Sequence, residues 1–237
     1  MDVGAVGVVE VPVWTNAVAI GVGSLQGAMY ASGFRDRKLD LLGISIIGVA
    51  TGLGGGFLRD ILLNRLPVAL TENWYIGVAV MAALVGMLFG RIVRRVDWLI
   101  TTLDALSIGL FGAIGVTTAL NQGLPYIPAI FVGVISAVGG GVIRDLLLNM
   151  PISVMLVGSL YAVAAGVGTV VLITMYTLGS GLVAASIACV AITTVIRLVA
   201  VRFGWSLPEQ RVLRGLRNPR LAKPNDMTGP IETKRDL

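Results

Sequence analysis

Gly54-Gly55-Gly56-Phe57-Leu58-Arg59-Asp60-Ile61-Leu62-Leu63-Asn64-Arg65-Leu66-Pro67 and Gly139-Gly140-Gly141-Val142-Ile143-Arg144-Asp145-Leu146-Leu147-Leu148-Asn149-Met150-Pro151 are two copies of one segment, their glycines 85 positions apart (139 minus 54). Each copy lies inside an apolar run long enough to cross a bilayer. Glycine weakens a helix, and an Arg-Asp pair in hydrocarbon is expensive, so a duplicated version of both demands a reason. Interrupted helices at matching points of two halves are the sequence pattern of a transport pathway.

The surroundings fix the class. Apolar residues make up 56% of the 237 and charged residues 13%, with a mean hydropathy of +0.88. Soluble domains carry about 25% charge. Seven runs of roughly 20 apolar residues, enough to span a core of about 30 Å, fall near 13–33, 40–66, 74–93, 99–120, 126–149, 154–176 and 180–203. Helices are expected, because backbone in lipid must satisfy its own hydrogen bonds; the short alternating segments of a membrane barrel are missing. Trp14, Trp74, Trp98 and Trp205 sit at run ends, where aromatic rings favour the headgroup layer.

The repeat reaches beyond the motif. At the same offset of 85, Leu25-Gln26-Gly27-Ala28 aligns with Leu110-Phe111-Gly112-Ala113, Gly48-Val49 with Gly133-Val134, and Thr51 with Ser136. Three spans return the chain to the opposite side, so the second unit is inserted upside down about an axis in the membrane plane. The expected architecture is an all-α membrane domain over 1–203: repeat 1 near 13–93, repeat 2 near 99–176, and a seventh helix near 180–203. A basic tail, 204–237, follows, partly disordered.

Cations set the expected orientation. Arg35, Arg37 and Lys38, then Arg91, Arg94 and Arg95, share a side with the tail, which carries Arg211, Arg214, Arg217, Arg220, Lys223, Lys234 and Arg235. The opposite loops offer only Arg65. The positive-inside rule puts the N-terminus outside and the tail in the cytoplasm, near anionic lipid. The net charge of +5 then needs no nucleic-acid partner. The absence of Lys or Arg before the first run argues against a cleaved signal peptide.

Gly54, Gly55 and Gly56, with Gly139, Gly140 and Gly141, fall near the middle of the second and fifth runs. Three glycines forfeit roughly 2–3 kcal/mol of helix propensity relative to alanine, so both helices are expected to kink there and to expose carbonyl oxygens at the bilayer midplane. Close helix packing through small residues is the plainer alternative. Gln26, Thr51 and Ser136 are the polar candidates near the centres of repeated helices. Arg59, Asp60, Arg144 and Asp145 would together cost on the order of 10 kcal/mol if unpaired. Neighbours on a helix point about 100° apart, so Arg59 is not expected to fold onto Asp60. Arg144 is expected to pair with Asp104, and exchanging those two charges to rescue either single change. The position equivalent to Asp104 in the first helix is Ala19, which leaves Arg59 to face an aqueous vestibule.

Catalysis and metal chemistry find no purchase. The chain has no histidine and a single cysteine, Cys189, which removes imidazole relays, disulfides and cysteine metal clusters. No catalytic, metal or cofactor site is expected.

The doubled Gly-Gly-Gly-x-x-Arg-Asp-x-Leu-Leu-Asn segments in a 3+3+1 helical chain resemble the prokaryotic branch of the trimeric intracellular cation (TRIC) channels, a sequence family also labelled glycine-transporter-like. The resemblance covers residues 13–203. It implies a homotrimer in a bacterial or archaeal plasma membrane, with one pore per protomer lined chiefly by helices 1, 2, 4 and 5. It further implies passive permeation of K⁺ and Na⁺. Animal members carry a lysine motif for phosphoinositide where this chain has Arg59-Asp60 and Arg144-Asp145, so phosphoinositide gating is not implied. The alternative is a secondary transporter for a small zwitterion such as glycine; a purely structural or lipid-binding protein is a third class.

Overall fold

The structure is a computed structural model that describes residues 12–33, 39–92, 97–155 and 160–205. Arg35, Arg37, Lys38, Arg94, Arg95 and the tail from 206 onward lie outside the described residues, as does the side chain of Arg91.

The described residues form seven α-helices: α1 (Val13–Gly33), α2 (Leu41–Leu62), α3 (Asn73–Ile92), α4 (Asp97–Asn121), α5 (Tyr126–Leu147), α6 (Tyr161–Thr177) and α7 (Leu182–Phe203). By length and composition α2, α3, α4, α5 and α7 can each cross a membrane. The 17 residues of α6 make a shorter apolar helix. Much of α1 is buried by protein, so it can carry Asn16, Ser24 and Gln26 without exposing them to lipid.

Two helices end earlier than the hydropathy suggests, and for the same reason. Leu63 N–H returns to the Arg59 carbonyl and Arg65 N–H to the Asp60 carbonyl, while Asn64 turns left-handed at φ 48°. In the second copy Leu148, Met150 and Asn149 (φ 50°) repeat the pattern. Asparagine tolerates this conformation better than most residues, which explains its place in both motifs. The sixth helix begins at Tyr161, not 154, because Ser153–Met155 form a 3₁₀ turn; Val68–Leu70 do the same in the first copy.

The repeats meet where α2 crosses α5, and the contacts are reciprocal. A Cβ on Gly54 would lie 2.6 Å from Ile143 Cδ1, and one on Gly139 would lie 2.6 Å from Leu58 Cδ1. A Cβ on Gly55 would overlap the Ser136 carbonyl oxygen, and one on Gly140 would overlap that of Thr51. Each pair maps onto the other at the offset of 85, as a pseudo-twofold axis requires. The symmetry fails around the seventh helix: α1 packs heavily on α3, whereas α4 packs more on α7 than on α6.

Candidate functional site

The glycine triplets do not unwind their helices. Backbone through Gly54–Gly56 and Gly139–Gly141 stays α-helical, so its carbonyls remain engaged in the helix rather than presented to an ion. Four of the glycines instead let two backbones touch, which is the packing use of small residues. Thr51 and Ser136 join them at this crossing. The Thr51 hydroxyl donates to the Ile47 carbonyl at 2.6 Å, and the fully buried Ser136 Oγ has no hydrogen-bond partner among the described residues.

The Arg-Asp dipeptides occupy the last turns of α2 and α5, where cations complement the helix C-terminal charge. Arg59 does close onto Asp60, against expectation: Nε and Nη2 donate to Oδ1 and Oδ2 at 2.8 and 3.0 Å. Arg144 does the same to Asp145 Oδ1 from Nε and Nη2, at 3.0 and 2.8 Å. The angular argument fails because arginine's long stem curls back from the helix end. Each aspartate also accepts a backbone N–H eight residues on, Val68 for Asp60 and Ser153 for Asp145, both at 2.8 Å. The acid therefore ties down the loop that follows its helix. Arg59, Asp60, Arg144 and Asp145 are all at most 3% exposed, and these charge-assisted bonds offset the burial.

The two ends of the bundle then diverge. Arg144 Nη1 lies 3.4 Å from Asp104 Oδ1, Arg197 Nη2 lies 3.7 Å from Asp104 Oδ2, and Tyr161 Oη donates to Asp104 Oδ1 at 3.2 Å. Tyr30 stacks under Arg144, and Tyr161 under Arg197, with 4.2 and 4.9 Å from guanidinium carbon to ring centre. At the other end Ala19 offers no carboxylate; Arg59 Nη1 donates to Asn16 Oδ1 at 3.2 Å, and Arg65 Nε approaches Asp60 Oδ1 at 3.4 Å.

That second end opens into a cavity of about 790 Å³ lined by polar groups that include Asn16, Arg59, Arg65, Glu72, Asn121 and Gln122. Adjoining it, a pocket of about 10 Å³, close to the size of one water, is lined by residues that include Asn16, Arg59, Gly56, Ile20, Leu53 and Phe111. Arg59, Asn16 and Val68 line both spaces and so stand at the border between a wide polar mouth and a small, mostly apolar pocket. Gly139, Gly140, Gly141 and Gln26 line neither cavity; Gln26 is buried in α1.

Sequence reasoning missed Asn16, Tyr30, Tyr161 and Arg197. A polar residue near a helix start, or a tyrosine near a run end, reads as ordinary interface. Arg197 was findable, being ionisable and inside the seventh run.

Comparison with known proteins bears on the family and the fold. The sequence profile of the family described as "Glycine transporter" matches twice, at residues 13–91 and 101–177. The chain is 34% identical over 198 residues to the UPF0126 inner membrane protein YadS of Escherichia coli (strain K12), covering 82% of this chain and 94% of that one. Its fold superposes on a solved TRIC cation channel with a TM-score of 0.74 and 32% identity, covering 84% and 97% of the two chains. The TRIC orthologue from Rhodobacter sphaeroides gives 0.74 at 28% identity, over 81% and 97%. With its doubled family signature, its reciprocal α2–α5 crossing and the seven helices of its described residues, the chain belongs to the glycine-transporter family, that of the prokaryotic trimeric intracellular cation channels.

Proposed function

We propose that this membrane protein is a passive channel for K⁺ and Na⁺, with one pore in each protomer of a homotrimer. The observation that carries the reading is the polar vestibule of about 790 Å³ between the repeats, with Arg59 and Asn16 in its lining. Such a mouth suits a hydrated ion better than a packed structural bundle, where it would waste burial. Related chains described as trimeric cation channels support the same assignment.

On this reading the α2–α5 contact is the closed waist. Gly55 and Gly140 bring the two backbones together with no Cβ between them, and a separation of these helices would open the seam. Arg59 does not bar cations outright, because Asp60 holds its charge at 2.8 Å. The vestibule faces outward and the basic loops and tail face the cytoplasm of a bacterial or archaeal plasma membrane.

Planar-bilayer recording of the purified protein in a KCl gradient tests the proposal. Unitary currents reversing toward the K⁺ equilibrium potential are expected. Saturable uptake of a zwitterion such as glycine, without unitary currents, would replace the channel by a transporter in which the Arg59 guanidinium binds the substrate's carboxylate.

A further inference from the structure

The buried acids of this protein are not held alike. Asp60 and Asp145 each take two arginine nitrogens and a backbone N–H, all at 2.8 to 3.0 Å, and are 1% exposed. Their oxygens are committed. Asp104 is held slackly: its guanidinium partners stand at 3.4 and 3.7 Å, and its side chain keeps 11% exposure. Well-formed charge-assisted bonds run to about 2.7–2.9 Å, so these contacts are loose enough to be exchanged for a passing cation.

Its partners come from three other helices, Arg144 on α5, Tyr161 on α6 and Arg197 on α7. Only α7 lies outside the repeat, and it reaches Asp104 because α4 packs on it more than on α6. The first repeat has Ala19 at the matching position. The carboxylate and its α7 cation are thus an addition that the inverted fold itself does not require.

We propose that Asp104 sets the cation preference of the pore at the end opposite the vestibule, and that Arg197 is a positioning residue that tunes it by holding part of the carboxylate's charge. Arg144 is already neutralised by Asp145 at 2.8 Å, so the balance between Asp104 and Arg197 decides the field a cation meets there. A carboxylate oxygen is also a hard ligand suited to alkali ions. The inference rests on the channel reading.

Single-channel recording in a KCl gradient compares the unmodified chain with Asp104→Asn, Asp104→Glu and Arg197→Gln. Asp104→Asn should lower the K⁺-over-Cl⁻ permeability ratio on the order of tenfold, Asp104→Glu should keep it, and Arg197→Gln should raise it. A purely structural ion pair would change yield or thermal stability and leave the reversal potential alone. Currents with one reversal potential in all four proteins would overturn the assignment and leave the channel standing. A silent unmodified protein would overturn both. Should Asp104→Asn fail to assemble, Arg197→Gln decides, since an unchanged or lowered ratio there refutes the proposal.

Discussion

Gly55 meets the Ser136 carbonyl oxygen so closely that no Cβ fits between them, and the pseudo-twofold repeats this relation between Gly140 and Thr51. The two halves of the molecule touch backbone to backbone at their waist. Gly55→Ala or Gly140→Ala should therefore destabilise by about 1–3 kcal/mol, the usual cost of overpacking. Gly56→Ala should be nearly silent, because its Cβ would meet nothing nearer than Arg59 Nη2 at 3.9 Å. Thermal unfolding in detergent checks the contrast; equal effects at positions 55 and 56 would refute the crossing.

The aspartates of the two motifs do two tasks that substitution can separate. Asp145→Asn removes the charge beside Arg144 but keeps an oxygen for Ser153 N–H; Asp145→Ala removes both. Leaving the guanidinium without this partner should cost about 3–5 kcal/mol, and orphaning the N–H a further 1–3 kcal/mol or so. Asp60 should behave alike through Arg59 and Val68. Denaturation midpoints of the four variants give the order.

Exchanging the charges of Asp104 and Arg144 should not rescue the single changes, contrary to what the sequence suggests. An aspartate at 144 would adjoin Asp145, and an arginine at 104 would face Arg197, now 3.7 Å from the carboxylate. Trimer yield by size exclusion should be lowest for the double variant. Recovery to the unmodified level would show that the cluster is a simple pair.

The repeat, its inversion and seven helices were legible because glycine, Arg-Asp and asparagine recur at one offset, each for a backbone reason. What the triplets do was less legible. Unwinding and close crossing both require glycine, and only the partner backbone, Ser136 against Gly55, distinguishes them. The Arg59–Asp60 closure was hidden because a wheel treats side chains as short vectors, and arginine is long. Arg65, at the mouth, could be placed only once the turn at Asn64 brought it back toward Asp60. Ala19 at the position matching Asp104 is visible in the sequence, and Arg59 meets Asn16 where Arg144 meets Asp104.

Asn16, which lines the vestibule beside Arg59, offers the most direct measurement. Cys189, the chain's single cysteine, is fully buried, so Asn16→Cys supplies one accessible thiol per protomer. A cationic thiol reagent added on the vestibule side should reduce single-channel current in three equal steps, one for each pore of the proposed homotrimer. Quantitative labelling of the introduced thiol, verified by mass spectrometry, with undiminished current would contradict a pathway through the vestibule.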